Sequence, residues 1–406
     1  MCKHSAEEMG MSVKKRVNLL EHLSNTVNCF FKDGALIPGY DPTFIAFNPL
    51  SSRVIFAVYS KAAKLYFLGI DKRVYKSPEL YAYTTFLTYD NSAPFLIEDL
   101  FEGVERAVII IGKTASVCVN NEKIDVTLKV ELECGVMHCG RLFGANGLDI
   151  WWSGPGGFSD WGDGTDGCGR LTLGADRGKV LDMVEYDGKV VVVREYGLTV
   201  LSMFGSPEKF SVDFTDTDCD KIYKRTARVV GGKLYFFTES GLKCFDGSKI
   251  SSLKIRHEVV EPWSSAEYGG RYFLACKSEV LGRDVILCVD SKDGESCIIN
   301  DHADVVYAKD GICYFNERLH NALNKGGWYK FECDIDFGTG RDKTVTKIEF
   351  DGLPYVAVNN GKFTRSLYPP KRVVRPRIRG KRFLLTAEEC KPMRWAFATA
   401  EVVDDV

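Results

Sequence analysis

The chain has 406 residues, enough for one large core or for two to three domains, and it is 45% hydrophobic and 27% charged. Its formal net charge of −2 excludes a molecule that binds nucleic acids or membrane surfaces through an overall positive charge. No stretch approaches the roughly 18 consecutive apolar residues of a membrane span. The first residues, MCKHSAEEMGMSVKKRVNLL, also lack the apolar core of a signal peptide.

Fourteen cysteines, in a chain that we expect to be made without a secretion signal, predict reduced thiols. They are scattered, and none forms a C-x-x-C pair. Cys134 and Cys139 flank His138, but a zinc site needs about four ligands and no second cluster is evident. We therefore predict no metal site, with most cysteines packing as small buried hydrophobes.

In chain order, the first predicted element lies between Ala6 and Leu23, where the run VNLLEHL places apolar residues at helical spacing. The run is short, so this segment is either a helix or an extended arm. We assign residues 1–33 as an N-terminal arm or short helix.

Beyond this segment, short β-type runs follow tight turns. The runs are KVVVVREY, KLYFFTES, RYFLACKS and ICYFNERL, and they follow Asp187-Gly188, Gly231-Gly232, Gly269-Gly270 and Asp310-Gly311. A further run, RLFGANGLDIWWS, follows Cys139-Gly140. Because both central residues of such pairs tolerate positive φ, each pair predicts a two-residue hairpin.

The turns recur at spacings of 48, 44, 38 and 41 residues. A period of about 40–45 residues built of short strands is typical of β-propeller blades. Two more meanders, Ser52 to Lys76 and Arg106 to Ile124, lie upstream. The sequence thus predicts an all-β fold, with a β-propeller of six or seven blades over residues 34–335.

After about Asp336 the periodic pattern ends, and a hairpin-like run is followed by the basic, proline-containing stretch LYPPKRVVRPRIRGKRFLLT. We predict a small C-terminal antiparallel β-domain over residues 336–406.

Several segments resemble structural proteins of bacteriophage and prophage tails and head–tail connectors. The segment TVNCFFKDGALIPGYD is similar to the opening of those proteins through Asn28, Phe31, Asp33, Gly34, Leu36, Gly39 and Tyr40, with Pro38 where a basic residue is common. The segment RLFGANGLDIWWSGPGGFSDWGDG is similar to a second run of theirs through Arg141, Asn146, Ser153, Asp160 and Trp161. Two later segments, KVLDMVEYDGKVVVVREYGLTVL and DFGTGRDKTVTKIEFDG, resemble a blade and the start of a C-terminal β-domain.

The resemblance is to the β-propeller tubular tail, or nozzle, proteins of short-tailed phages. It implies a propeller core, a ring formed with copies of the same chain, contacts with other tail or portal proteins, and no chemistry. It also implies a virion protein that assembles in the cytoplasm of a bacterial host. The chain is shorter than many members, so an adaptor or another structural component is also consistent with it.

Trp151, Trp152 and Trp161 are candidate interface residues. They form either an aromatic platform for a sugar or packing between blades. Side chains alternate across a strand, so Trp151 and Trp152 are predicted to face opposite sides, at the position of VVVV and YFF in the later blades. The adjacent loop carries Asp160, Asp163 and Asp166, but it lacks the alternate acidic positions and distal glutamate of an EF-hand, so turn capping explains it as well as calcium does.

The basic stretch supplies the remaining candidate interface residues, Arg375, Arg377 and Arg379, which share one face of an extended strand. They are open to three interpretations: contact with DNA during its passage, pairing with carboxylates of a neighbouring subunit, or a charged edge that prevents strand pairing.

The run GKTASV lacks the upstream glycine of a phosphate loop and lies between β-runs, so it does not predict a phosphate site.

No catalytic motif emerges among the six histidines, which show no H-E-x-x-H spacing. We predict a protein that is not an enzyme and has no catalytic residues, no cofactor and no metal. The alternative hypothesis is a carbohydrate-binding or glycoside-processing propeller with the tryptophan segment at its site.

Overall fold

A computed structural model describes residues 13–47, 52–79, 83–89, 93–101, 104–119, 122–162, 167–213, 217–317, 319–338 and 341–402. The described chain is all-β and contains no α-helix, which confirms the predicted class. Three single-turn 3-10 helices cover Leu19–Glu21, Ala175–Arg177 and Pro207–Lys209. None of the helices found in the described part of the chain is long and apolar enough to cross a bilayer.

In chain order the strands are β1 Val13–Asn18, β2 Leu23–Val27, β3 Cys29–Lys32, β4 Ala35–Pro38, β5 Tyr40–Phe47, β6 Phe56–Ser60, β7 Leu65–Ile70, β8 Arg73–Ser77, β9 Thr84–Thr88, β10 Phe95–Phe101, β11 Val104–Val119, β12 Glu122–Leu132, β13 Cys134–His138, β14 Arg141–Asn146, β15 Asp149–Trp152, β16 Gly169–Thr172, β17 Val180–Tyr186, β18 Lys189–Arg194, β19 Gly197–Ser202 and β20 Ser211–Asp213. They continue with β21 Arg228–Val230, β22 Lys233–Thr238, β23 Gly241–Phe245, β24 Ile250–Ser252, β25 Val259–Tyr268, β26 Arg271–Ser278, β27 Arg283–Asp290, β28 Ser296–Ile299, β29 Val305–Ala308, β30 Ile312–Asn316, β31 Leu319–Lys325, β32 Tyr329–Ile335, β33 Lys343–Phe350, β34 Tyr355–Asn359, β35 Thr364–Leu367, β36 Val373–Val374, β37 Ile378–Gly380, β38 Phe383–Glu389 and β39 Ala396–Val402.

The chain divides into two compact units. We call residues 42–294 and 301–323 the central unit, and residues 1–41, 295–300 and 324–406 the terminal unit. This division differs from the sequence-based boundaries of 1–33, 34–335 and 336–406, because the N-terminal strands belong to the same unit as the C-terminal ones.

Seven small antiparallel sheets make up the described part of the central unit. Counting the strands of this unit and β5, the strand orders are β6-β7-β8-β9, β10-β11-β12, β13-β14-β15-β16, β17-β18-β19-β20, β21-β22-β23-β24, β25-β26-β27 and β29-β30-β31-β5. Successive strands are neighbours in each sheet, as expected of meanders. The exception is β5, which precedes the first sheet in the sequence and forms the outer strand of the seventh.

The hairpin turns confirm the glycine-based prediction at four of the five positions. Both central residues have positive φ at Cys139-Gly140 (47° and 73°), Asp187-Gly188 (50° and 69°), Gly231-Gly232 (55° and 79°) and Gly269-Gly270 (61° and 74°). Each pair joins the first two strands of its sheet. At Asp310-Gly311 neither residue has positive φ, and the amide of Lys309 donates to the carbonyl of Gly311 instead.

Hydrophobic clusters join neighbouring sheets of the central unit. One cluster joins the first and second sheets through Phe67 and Ile109, and others join the third to the fourth and the fourth to the fifth. A further cluster joins the seventh sheet to the first, where Tyr307 and Phe315 pack with Tyr66 and Leu68. The first and the fourth sheets therefore each pack against a neighbouring sheet on both faces.

The terminal unit contains two larger sheets and the hairpin β3-β4. The first has the order β1-β39-β33, with β36 and β37 both pairing with β33, and the second has the order β2-β32-β38-β34-β35. Their buried side chains, including Phe331, Ile348 and Leu385, form one hydrophobic cluster.

Of the two alternatives for the N-terminal segment, the helix is wrong over the described residues and the backbone is extended, because Val13–Asn18 form β1 and Leu23–Val27 form β2. β1 pairs with β39 and β2 with β32, so long-range ladders replace the local helical preference. Residues 6–12 of that prediction lie outside the described part of the chain.

Candidate functional site

The candidate functional site is a cavity of about 610 Å³ in the central unit. It is lined by the first strand of every sheet in that unit, with contributions from β6, β10, β13, β17, β21, β25 and β29. Apolar walls, among them Phe56, Val136 and Val184, alternate with four acidic and four cationic side chains. A cavity of this size with a few convergent polar groups is typical of a ligand or partner site.

Three of the cationic side chains come from the short segment 224–228, which ends at the first residue of β21: Lys224, Arg225 and Arg228. Thr226 anchors this segment, since its hydroxyl donates to the carbonyl of Tyr223 at 2.7 Å and accepts from the amide of Phe237 at 3.1 Å. Arg225 lies in the left-handed region with φ of 64°. The local hydrogen bonds therefore hold a conformation that is uncommon for a residue with a side chain.

The two arginines of this segment are tied to backbone carbonyls. The guanidinium of Arg225 donates to the carbonyl of Ile55 at 3.0 Å, and that of Arg228 donates to the carbonyl of Ser265 at 3.1 Å. The ammonium of Lys224 has no hydrogen bond or ion pair with any described residue. Burial lowers the pKa of Arg225, and the negative charge of Asp182 opposes this effect.

Asp182 lines the same cavity as these cations. Its carboxylate accepts a hydrogen bond from the amide of Met183 at 2.9 Å, but it is in no direct ion pair among the described residues. Burial raises the pKa of this carboxyl group, and the charge of Arg228 is the largest effect that lowers it. The carboxylate is thus within electrostatic range of the cations but forms no ion pair with them among the described residues.

A second polar group at the cavity is centred on Asp304, whose side chain is almost fully buried. Its carboxylate accepts from Nε of Arg53 at 2.7 Å and from the amide of Glu317 at 2.8 Å, and lies 3.0 Å from Nε2 of His302. Nδ1 of His302 lies 2.9 Å from the carboxylate of Asp284. Only an imidazolium carries N–H groups at both nitrogens, so both contacts are hydrogen bonds when His302 is protonated.

The side-chain hydrogen bonds of His302 are both to carboxylates, those of Asp284 and Asp304. No hydroxyl or thiol of the described residues is hydrogen-bonded to His302, so the pattern of a base beside a nucleophile is not formed there. No group of three or more metal-ligating side chains occurs in the described ranges. His138, the histidine between two cysteines, lies 3.1 Å from the carboxylate of Glu185.

The three tryptophans singled out in the sequence pack inside the central unit. Trp152 is 9% exposed and lies in the cluster between the third and fourth sheets, with its ring 5.3 Å from that of Phe210. Trp151 and Trp161 pack against a different cluster, between the second and third sheets. Trp151 and Trp152 thus lie on opposite faces of their strand. That strand is the third of its sheet, not the second strand that carries VVVV and KLYFF in the later sheets.

The glycine-rich loop after these tryptophans is a capped turn. The carboxylate of Asp160 accepts hydrogen bonds from the amides of Gly156 and Gly162 at 3.1 and 3.3 Å. The other two aspartates of the predicted acidic series, Asp163 and Asp166, lie outside the described residues.

The three arginines of the basic stretch lie in the terminal unit. Arg375, Arg377 and Arg379 are exposed, and the residues between them are buried. The predicted single extended strand is wrong, because β36 ends at Val374, β37 begins at Ile378, and Arg377 between them lies in the left-handed region with φ of 48°. The cavity residues Lys224, Arg225 and Arg228 had not been predicted. Their signal in the sequence is the run KRTAR, which carries three cations at the point where a meander begins. The first strand of each meander lines the shared cavity, so cations at this point reach it.

No protein-family model and no curated protein sequence matches this chain. The structure is similar to the extracellular domain of a protein assigned as a hybrid two-component system of B. thetaiotaomicron, with 11% identity and a TM-score of 0.48 over 77% of this chain and 43% of that one. A second structure, assigned as a one-component system of the same organism, gives 10% identity and a TM-score of 0.47 over 82% and 48%. The chain spans less than half the length of either structure. At these values the likeness has no bearing on activity or partners.

Proposed function

We propose that the central unit is a seven-bladed β-propeller. Four features support this: the seven meander sheets, the common cavity lined by their first strands, the cluster that joins the seventh sheet to the first, and the closing strand β5. A strand from the start of the chain that completes the last sheet would hold such a ring closed, because unravelling would require breaking a ladder between distant segments.

We propose that the protein is a non-enzymatic structural component of a phage or prophage particle, which forms a ring in the tail or head–tail connector. Its partners would be copies of itself and other tail or portal proteins, and it would be assembled in the host cytoplasm. The observation that carries an assembly role is the exposed apolar edge formed by β5. Phe44, Ile45 and Phe47 are 50%, 47% and 69% exposed on the outer strand of the seventh sheet.

An edge strand with exposed apolar side chains is a surface on which another chain can add. The rings of Phe44 and Phe47 lie 4.9 Å apart, so they form one continuous apolar contact area. Aromatic side chains supply much of the energy of protein interfaces. The order of the phage-like segments in the sequence supports the same role and suggests the virion as its setting.

Electron microscopy and light scattering of the purified chain test the proposal. We expect rings for the wild type, and loss of rings for a Phe44→Asp/Phe47→Asp variant, because a charge at each position opposes burial of the edge. Phe204→Asp is the matched control, since Phe204 is 75% exposed elsewhere in the central unit. A wild type that stays monomeric at high concentration, alone and with a portal-type partner, would contradict the ring.

One observation favours carbohydrate binding, although at a different place from the tryptophan segment. In the terminal unit the rings of Trp328, Tyr355 and Tyr368 follow one another at 5.7 Å, and the three residues are 49%, 39% and 72% exposed. Exposed aromatic faces can stack on sugar rings. Calorimetric titration with soluble oligosaccharides, comparing the wild type with Trp328→Ala, tests this second candidate, which fails if no heat of binding depends on Trp328.

A further inference from the structure

Positive charge is concentrated in one part of the terminal unit. Residues 352–387 carry nine lysines and arginines and no acidic residue, whereas the other 370 residues carry 44 cationic and 55 acidic side chains. The segment therefore has a charge of +9 in a chain whose remainder has a charge of −11. Like charges held close together repel one another and reduce stability, unless a partner of opposite charge binds them.

The structure places the centre of this segment along the edge of a sheet. β36 and β37 both pair with β33, which leaves their other side without a strand among the described residues. Val374, Pro376 and Ile378 are buried against the core, and the three arginines between and after them point outward. We call residues 371–382 the basic edge.

Most cations of the basic edge have no acidic partner. Arg379 and Arg382 lie 3.4 and 3.0 Å from Asp342 and Asp334. The others form no ion pair with a described residue, although all of them are exposed. These unpaired cations are Lys371, Arg372, Arg375, Arg377 and Lys381.

The opposite edge of the same sheet provides an internal comparison. β1 also carries three consecutive cations, but two of them have partners: Lys14 lies 3.9 Å from Glu401, and Arg16 lies 3.6 Å from Glu349. The third, Lys15, donates to the carbonyl of Phe337. Protection of an edge from strand pairing needs only a few charges, and they can be neutralised as on β1. The unpaired excess on the basic edge requires a different explanation.

We propose that the basic edge binds the phosphate backbone of a single-stranded nucleic acid. Arginine predominates over lysine in the segment, and its planar guanidinium matches phosphate oxygens in a bidentate fashion. Two exposed aromatic residues, Phe363 at 53% and Tyr368 at 72%, directly precede and follow β35, and Arg365 of that strand donates to the carbonyl of Pro376 in the basic edge at 2.6 Å. Exposed rings beside a cationic track are the usual means of stacking unpaired bases. This inference stands on the charge distribution and does not require the proposed ring.

The salt dependence of binding provides the test. Fluorescence anisotropy with a labelled 20-nucleotide oligo-dT measures the affinity of the full-length chain between 50 and 200 mM salt. If about four phosphates are neutralised, the affinity should fall about 50-fold over this range, and a variant lacking two contacts should lose only about 7-fold. The variant is Arg375→Gln/Arg377→Gln, and Lys14→Gln/Lys15→Gln on β1 removes the same charge from the opposite edge.

We expect the basic-edge variant to bind more weakly with a shallower salt dependence, while the β1 variant binds like the wild type. Thermal unfolding checks that both variants are folded. Lys14, Arg375 and Arg377 are exposed, whereas Lys15 is partly buried and its substitution removes one hydrogen bond to a backbone carbonyl. Equal loss in both variants would overturn the proposal, because binding would then follow net charge alone. It would also be overturned if the wild type failed to bind oligo-dT at 50 mM salt, if a 20-base-pair duplex bound more tightly, or if poly-glutamate bound at the same edge instead.

Discussion

Protonation of His320 should destabilise the protein as the pH falls. His320 is buried on β31, its Nε2 lies 2.6 Å from the hydroxyl of Tyr307, and its Nδ1 has no hydrogen-bond partner. Burial, assisted by the positive charge of Lys309, lowers its pKa to about 4. Since the unfolded chain has a pKa near 6.5, the unfolded state binds the proton first. The stability that the protein gains by keeping His320 neutral is therefore fully present above pH 6.5 and is lost as the pH falls toward 4.

The size of the effect follows from the two pKa values. Each pH unit between them corresponds to about 1.4 kcal/mol, so the free energy of unfolding should fall by about 2 kcal/mol between pH 7 and pH 4.5 through this group alone. Carboxylates also titrate over this range, and a matched variant separates their effect. His320→Gln has an amide that can still bond the hydroxyl of Tyr307 but does not titrate.

Urea unfolding at pH 7 and pH 4.5, followed by tryptophan fluorescence, measures the two differences. The wild type should lose about 2 kcal/mol more than His320→Gln on acidification. Parallel losses in the two proteins would refute the reasoning, because they would mean that His320 is not held neutral in the folded state.

Two further predictions concern packing and the polar group at the cavity. Trp152→Ala should lower the free energy of unfolding, measured in urea, by about 4 kcal/mol, because removal of a buried indole leaves a large cavity. Trp151→Ala should lower it by only about 2 kcal/mol, because the ring of Trp151 is only partly buried. Equal losses in the two variants would contradict this difference in burial. Asp304→Ala should lower the free energy of unfolding by about 3 kcal/mol, because it removes a buried carboxylate that accepts hydrogen bonds from Arg53 and from a backbone amide. The side chain of Asp284 is 41% exposed, so Asp284→Ala should lower the same free energy by less than about 1 kcal/mol. The prediction for Asp304 is wrong if both variants unfold at the same midpoint.

The exposed arginines were predicted from the sequence, whereas the cavity of the candidate site was not. Alternation along one extended strand predicted that Arg375, Arg377 and Arg379 share a face, and all three are exposed. The chain reaches this outcome by another conformation, because β36 ends at Val374, β37 begins at Ile378, and Arg377 has a φ of 48°. The cavity does not follow from any local pattern, because Arg53 and Asp304 are about 250 residues apart in the chain and meet only after the first and seventh sheets have packed together. A helical spacing of apolar residues was likewise a poor guide for Val13–Asn18, since pairing with β39 decided its conformation.

The sequence by itself determined the all-β class, four of the five glycine-turn hairpins, and the order of these hairpins along the chain. Turn pairs such as Asp187-Gly188 set their own backbone angles, and alternation sets which side chains share a face. Only the tertiary structure decided that the strands of the N-terminal segment join the C-terminal sheets, that β5 completes the seventh sheet, and that Lys224, Arg225 and Asp182 face one cavity. The physical reason is range: turns and alternation depend on neighbouring residues, whereas pairing between distant strands is selected by the burial of whole sheets against one another.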